Sequence, residues 1–170
     1  LSEGGYDQPY NLYSNISSFT RVMAAGTWYP IVSIRLAPGY LDAVAQVKQV
    51  DISMVSTDLL HWALWSNVSA ANLTGENFVA HTSSSLVQID QSATAMTTTG
   101  CQQIAAGLVS GTNQTAGVTL LELTKYQAQL GRNSFTNVSE IFTLAVYSVT
   151  GSSGGSSIGL QALLSWNELL

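Results

Sequence analysis

The side chains able to do acid–base, nucleophilic or metal chemistry are few. There are two histidines, His61 and His81, one cysteine, Cys101, ten carboxylates and many serines. A Ser-His-Asp relay would draw on His61 or His81 and on Asp58 or Asp90. The glycine-serine run at 151–157 reads as a flexible hairpin loop, not as a nucleophile elbow, which sits on a strand-to-helix turn. One cysteine can close no internal disulfide and build no cysteine-based metal site. Its neighbours in sequence offer no base to activate it, so Cys101 reads as a small buried hydrophobe. The two histidines are not at ligand spacing on one element. Paired carboxylates for glycoside chemistry must face one cleft, and most acids here fall at turns or on polar faces. The expectation is a protein that is not an enzyme, with no catalytic, cofactor-binding or metal-binding residues.

Binding chemistry rests instead with the aromatic residues. Tyr6, Tyr10 and Tyr13 stand among Ser and Asn near the start, followed by Trp28 and Tyr29 and then by His61 and Trp65. Indole and phenol rings suit either a protein interface or a stacked sugar. These seven residues are the candidate interface. Trp62 and Trp166 lie inside alternating strands and read as core.

Strands must position them. In Ile31-Val-Ser-Ile-Arg-Leu36, Val32, Ile34 and Leu36 share a face. Val50, Ile52 and Met54 alternate with Gln49, Asp51 and Ser53. A period of two marks a half-buried strand. Leu59-Leu-His-Trp-Ala-Leu-Trp65 is large on both faces, so one face meets the core and the other a partner subunit. Further strands are read at 85–90, 103–109, 118–123, 140–149 and 158–168, with Gly107 as a bulge or a point of close approach. A short strand is read at 78–79, and 124–132 as strand or irregular. Eight or nine strands at regular spacing predict an all-β, antiparallel β-sandwich, jelly-roll-like. Residues 1–25 read as an extended N-terminal arm, and 26–170 as the sandwich domain.

Composition narrows the classes further. Only 9% of the 170 residues are charged, against about 25% in an ordinary soluble domain. Arg21, Arg35, Lys48, Lys125 and Arg132 are scattered, which argues against nucleic-acid binding. No apolar run is long enough to span a membrane as a helix. No signal-peptide pattern is read, and Leu1 is not a start methionine. Asn15, Asn67, Asn72, Asn113 and Asn137 head N-x-S/T triplets, a weak signal in a Ser/Thr/Asn-rich chain.

Several segments together carry a resemblance. They are Pro30-Ile-Val-Ser-Ile-Arg-Leu36, Val50-Asp-Ile-Ser-Met54, Trp62-Ala-Leu-Trp65, Arg132-Asn-Ser-Phe-Thr136, Ile141-Phe-Thr-Leu-Ala-Val146 and Leu164-Ser-Trp-Asn-Glu-Leu169. In this order, over most of 28–170, they resemble structural modules of tailed-bacteriophage virion proteins, both capsid decoration proteins and tail or fibre proteins. The resemblance implies a β-sandwich, often a trimer, without enzymatic activity or cofactors, and it carries over no functional residue. The expectation is a virion structural protein. Foremost is a capsid decoration or cement protein, a homotrimer binding the major capsid protein or other virion proteins through its arm. A receptor- or glycan-binding domain of a tail fibre is the alternative. A secreted, glycosylated adhesion domain is the third reading.

Overall fold

The computed structural model describes residues 11–111, 117–119, 129–133 and 135–169. Among them the strands are β1 (Asn11–Arg21), β2 (Trp28–Leu36), β3 (Val44–Met54), β4 (Leu59–Val68), β5 (Leu73–Thr74), β6 (Val79–Ala80), β7 (Val87–Asp90) and β8 (Ala95–Met96). They continue with β9 (Gln102–Ser110), β10 (Gly117–Thr119), β11 (Gln129–Leu130), β12 (Arg132–Asn133), β13 (Val138–Ser139), β14 (Ile141–Tyr147) and β15 (Ile158–Leu169).

Two antiparallel sheets enclose the main core. One runs β1-β15-β3-β10, with β11 also on β3; the other runs β6-β7-β2-β14-β4-β9. The chain is therefore all-β, an antiparallel sandwich. Alternation in the sequence explains the core directly. Val32, Ile34, Val50, Ile52, Leu60, Trp62, Leu64, Phe142, Leu144, Leu160, Leu164 and Trp166 all point between the sheets. β15 occupies a central place between β1 and β3.

Three expectations change. The N-terminal arm expected over residues 1–25 is a sheet strand over Asn11–Arg21, paired from Asn11 opposite Glu168 to Arg21 opposite Ile158. The inward side of this strand carries Tyr13, Asn15, Ser17 and Phe19, so the small polar residues obscure its alternation. A partner strand twelve residues long supplies the hydrogen bonds that hydrophobicity does not announce. Phe19 and Met23 are buried. The boundary expected at 25/26 falls in the connection between β1 and β2, both of which belong to the sandwich. Residues 1–10 lie outside the described residues.

Second, the outer face of β4, expected to meet a partner subunit, is not left open at Ala63 and Trp65. It is covered by the chain itself. Ala63 and Trp65 pack with Leu73, Ala93, Met96, Ile141 and Ala145, and Trp28, Phe78 and Cys101 border the cluster. The parts of the run between β4 and β9 that flank β6 and β7 thus form a lid with its own small core. Third, the glycine-serine loop joins no hairpin, because β14 and β15 lie in different sheets. It is tied to residues 23–26. The Met23 amide donates to Ser152 Oγ at 2.7 Å, Ser152 N–H donates to Met23 O at 2.8 Å, and Gly26 N–H donates to Ser148 O at 2.8 Å.

Gly151 is essential to that connection. Its φ is +77°, and a Cβ there would stand 2.9 Å from Ala25 N and 3.1 Å from Met23 O. Gly151→Ala is expected to destabilise the fold by about 1–3 kcal/mol through left-handed strain and backbone overlap. Urea unfolding followed by circular dichroism measures this. An unchanged midpoint would mean that the connection is not held as described.

Candidate functional site

Four of the seven candidate interface residues, Tyr13, Trp28, His61 and Trp65, fall in two ring clusters. In the six-stranded sheet, the register sets Tyr147 of β14 opposite both Trp28 of β2 and His61 of β4. Trp28 then lies 4.9 Å from His61, 5.1 Å from Tyr147 and 5.2 Å from Trp65, centroid to centroid. The Trp28–Trp65 and Trp28–His61 contacts are edge-to-face, the geometry that ring quadrupoles favour. Trp28, His61 and Tyr147 are half-buried, but Trp65 is only 7% exposed. Trp65 therefore offers no surface to a partner or a sugar; the lid segment has taken that face. Tyr29 is also turned inward, packing on the main core while its hydroxyl accepts the Ala24 amide at 2.8 Å.

Tyr13 joins the second cluster. Its ring stacks on Trp166 at 6.4 Å and meets His81 at 5.9 Å, and His81 lies 5.0 Å from Trp166. The Tyr13 hydroxyl donates to Ser84 O at 3.1 Å. Tyr13 is thus a pin between β1 and the segment 81–85. Burial pulls the His81 pKa below its ordinary value; the nearby Glu168 opposes that shift, as does a backbone hydrogen bond at Ser14. Tyr6 and Tyr10 lie outside the described residues.

Beneath these rings sits a group the sequence reading missed. Glu168 is buried, and its carboxylate collects three donors. Oε2 accepts from Trp166 Nε1 at 2.8 Å and from Ser85 Oγ, and Oε1 accepts the Leu86 amide at 2.6 Å. Parity could have found it. Residue 168 shares the inward set of Ile158, Leu160, Ala162, Leu164 and Trp166. Asp90 and Asp58, considered above for a relay, each hold a loop. Asp90 Oδ1 accepts the amides of Asn77 and Ser92, both at 2.9 Å, and Asp58 Oδ2 accepts from Ser56 Oγ at 2.6 Å.

A cleft of about 590 Å³ opens at one end of the sandwich, within the range of small-molecule sites. Leu36, Leu41, Val68 and Ile141 are among its apolar walls, with Arg132, Asn67, Asn137 and Glu140 as polar groups. Asn67 and Asn137 both take left-handed φ, +56° and +58°, a conformation that Asn tolerates better than most residues. Asn67 N–H donates to Glu140 Oε1 at 3.3 Å. Arg132 pairs with Asp42 at 3.3 Å in an exposed contact. Beside the cleft, Asn133 Oδ1 accepts the amides of Phe135 and Thr136, and the turn so formed holds Phe135 97% exposed. The Ser139 hydroxyl is engaged, donating to Glu140 O and accepting the Leu36 amide. The cleft offers recognition groups, a carboxyl, a guanidinium and amides over an apolar wall.

No protein-family model, curated protein or solved structure matches this chain. Function is therefore argued from the residues. The sequon side chains bear on the secreted-domain reading. Asn67 Nδ2 donates to Gly100 O at 2.8 Å, and Asn72 Nδ2 donates to Thr97 O and Thr99 O. Attaching a glycan at either amide would disturb a loop contact. Asn113 lies outside the described residues.

Burial pushes the Glu140 carboxyl above its ordinary value, and the Asn67 amide partly opposes this. The folded state then holds that proton more tightly than the unfolded chain does. Stability is expected to fall as pH rises from the ordinary glutamate value through the raised one. Glu140→Gln should flatten that fall. Urea midpoints for both proteins between about pH 4 and about pH 7 test this; superimposable profiles would remove Glu140 as the cause.

Proposed function

We propose that the chain is a non-enzymatic structural protein of a phage particle, a head decoration or cement protein acting as a homotrimer on the capsid surface. It would bind the major capsid protein or other virion proteins and add buried area across capsomer junctions. Contacts that form only in the assembled shell stabilise it by mass action. One observation carries the reading beyond the sequence resemblance: the chain's rings and buried carboxylates are used for internal cohesion. Trp28, His61, Trp65 and Tyr147 tie strands to the lid, while Tyr13, His81, Trp166 and Glu168 tie β1 and β15 to the 81–86 segment. That is the design of a module that must persist. The strands β1 to β4 alternate between the two sheets, and β14 and β15 do so again, which supports a jelly-roll-like winding.

A tail-fibre domain that binds a receptor or glycan is the second reading. The cleft beside the exposed Phe135 favours it, and it moves the contact away from Trp65. Immunogold electron microscopy of purified particles, with antibody against this chain, separates the two. Label spread over the head is the expected result. Label confined to the tail or fibres would replace the first reading with the second, and particles without label would overturn both.

A further inference from the structure

The cleft at the end of the sandwich has a rigid floor and a polar rim. The ends of β2, β4 and β14 make the floor, where Leu36, Val68 and Ile141 are buried. Walls held by paired strands do not have to be ordered again when a ligand arrives. The rim differs in kind. Glu140 is half-buried, and its carboxyl accepts one backbone amide, that of Asn67 at 3.3 Å. Among the described residues no cation pairs with it. A carboxylate taken partly out of water ordinarily collects several donors or a cation, so this one has acceptor capacity to spare.

The groups beside it donate. Asn133 uses its Oδ1 on the amides of Phe135 and Thr136, which leaves its Nδ2 hydrogens over. The Asn137 backbone amide donates to Asn133 O at 2.8 Å, but its side-chain amide makes no hydrogen bond among the described residues. Arg132 spends one nitrogen on exposed Asp42 and keeps its other N–H groups. The same turn carries Phe135, which stands between the lining residues Asn133 and Thr136 and is 97% exposed. A phenyl ring fixed in water on a hydrogen-bonded turn is available as a stacking surface.

We propose that the cleft is a binding site for a neutral oligosaccharide. Charge selects the class. An anionic ligand would meet the Glu140 carboxylate and a cationic one the Arg132 guanidinium, so strong charge of either sign meets repulsion in the cleft. Neutral hydroxyl groups both donate and accept, and so can satisfy the carboxylate, the guanidinium and the amides together. A wholly apolar ligand would leave those rim groups without partners. A sugar ring also carries apolar C–H faces, which suit the wall of Leu36, Leu41, Val68 and Ile141 and the face of the Phe135 ring. The volume of about 590 Å³ admits a short oligosaccharide and not a folded partner. The assignment goes beyond the cement reading and does not need it, because a capsid subunit and a fibre domain can each present this cleft. It gives the glycan reading its ligand class.

Saturation-transfer-difference NMR on the full chain tests this. Maltotriose, cellotriose, mannotriose and N-acetylchitotriose are the neutral probes, and trigalacturonate and the chitosan trimer are the charged ones. At least one neutral trisaccharide is expected to bind with Kd below about 1 mM, and the charged trimers at least about tenfold more weakly. Phe135→Ala, Asn137→Gly and Glu140→Gln should each weaken that binding by about tenfold. Near-UV circular dichroism should stay native in all three. Phe135 is exposed, glycine accepts the Asn137 φ of +58°, and glutamine keeps the shape of Glu140. Leu108→Lys, on exposed β9, should bind as wild type does. Failure of every neutral trisaccharide to bind at about 10 mM would overturn the site. Tighter binding of a charged trimer would overturn the neutral class. Binding retained in full by native-like Phe135→Ala, Asn137→Gly and Glu140→Gln proteins would overturn the cleft as its place. Cross-linking of the cleft to another virion protein in purified particles, with no sugar bound by the free chain, would make that protein the occupant instead. None of these results decides between head and fibre, which the immunogold labelling does.

Discussion

Glu168→Ala is expected to destabilise the fold by about 3–5 kcal/mol, because the substitution orphans three donors at once. The indole N–H of Trp166, the hydroxyl of Ser85 and the amide of Leu86 all end on this carboxylate. Each group left without a partner in a dry site costs about 1–3 kcal/mol, less whatever a water recovers. Glu168→Gln keeps the shape and one acceptor oxygen, so about 1–3 kcal/mol is expected. The loss should be concentrated where the carboxylate acts. Tyr13 and His81 rest on Trp166, so amide exchange should rise across 81–86 and β1 before it rises in β4 or β14. Urea unfolding and hydrogen exchange measure both parts. A Glu168→Ala protein as stable as wild type would show that the three donors find other partners.

Trp62→Ala is expected to cost about 3–5 kcal/mol, as for other large aromatic truncations in a core. Trp62 is fully buried between the sheets and is paired across the ladder with Gly107 of β9. The pairing is tight. A Cβ on residue 107 would stand 2.8 Å from Trp62 Nε1 and 3.0 Å from Cε2 and Cζ2. Gly107→Ala should therefore cost about 1–3 kcal/mol by overpacking against a ring that has no room to move. In a Trp62→Ala background the same methyl meets a cavity, and its cost should largely vanish. The cycle of both single variants and the double variant should give a coupling of about 1–3 kcal/mol. Additive costs would mean that the two residues do not share the contact.

The legibility of Gly107 and Trp62 differs from that of Glu168 for a physical reason. A glycine inside a strand pattern signals either a bulge or a close approach. The structure decides for approach, and the register shift falls elsewhere, between Leu64 and Trp65. The side chain that needs the space lies on another strand, more than forty positions away, and no local reading names it. Glu168 shows its parity in the sequence but not its donors, two of which come from residues 85 and 86. The cleft is still less legible. Its walls gather residues 35, 36, 38 and 41, residues 67–70, and residues 131–133 and 136–141, which come together only when β2, β4 and β14 pair.

The sequence by itself determined the all-β class, the inward faces of β2, β3, β14 and β15 and the central burial of Trp62 and Trp166. Each of these follows from a two-residue period, a property of the local backbone that survives in any tertiary setting. Tertiary structure decided what lies on the other faces. It placed Asn11–Arg21 against β15 and folded Leu73, Phe78, Ala93, Met96 and Cys101 around Trp65. Alternation states that a strand has two sides, but only long-range pairing determines which segment comes to cover the second one.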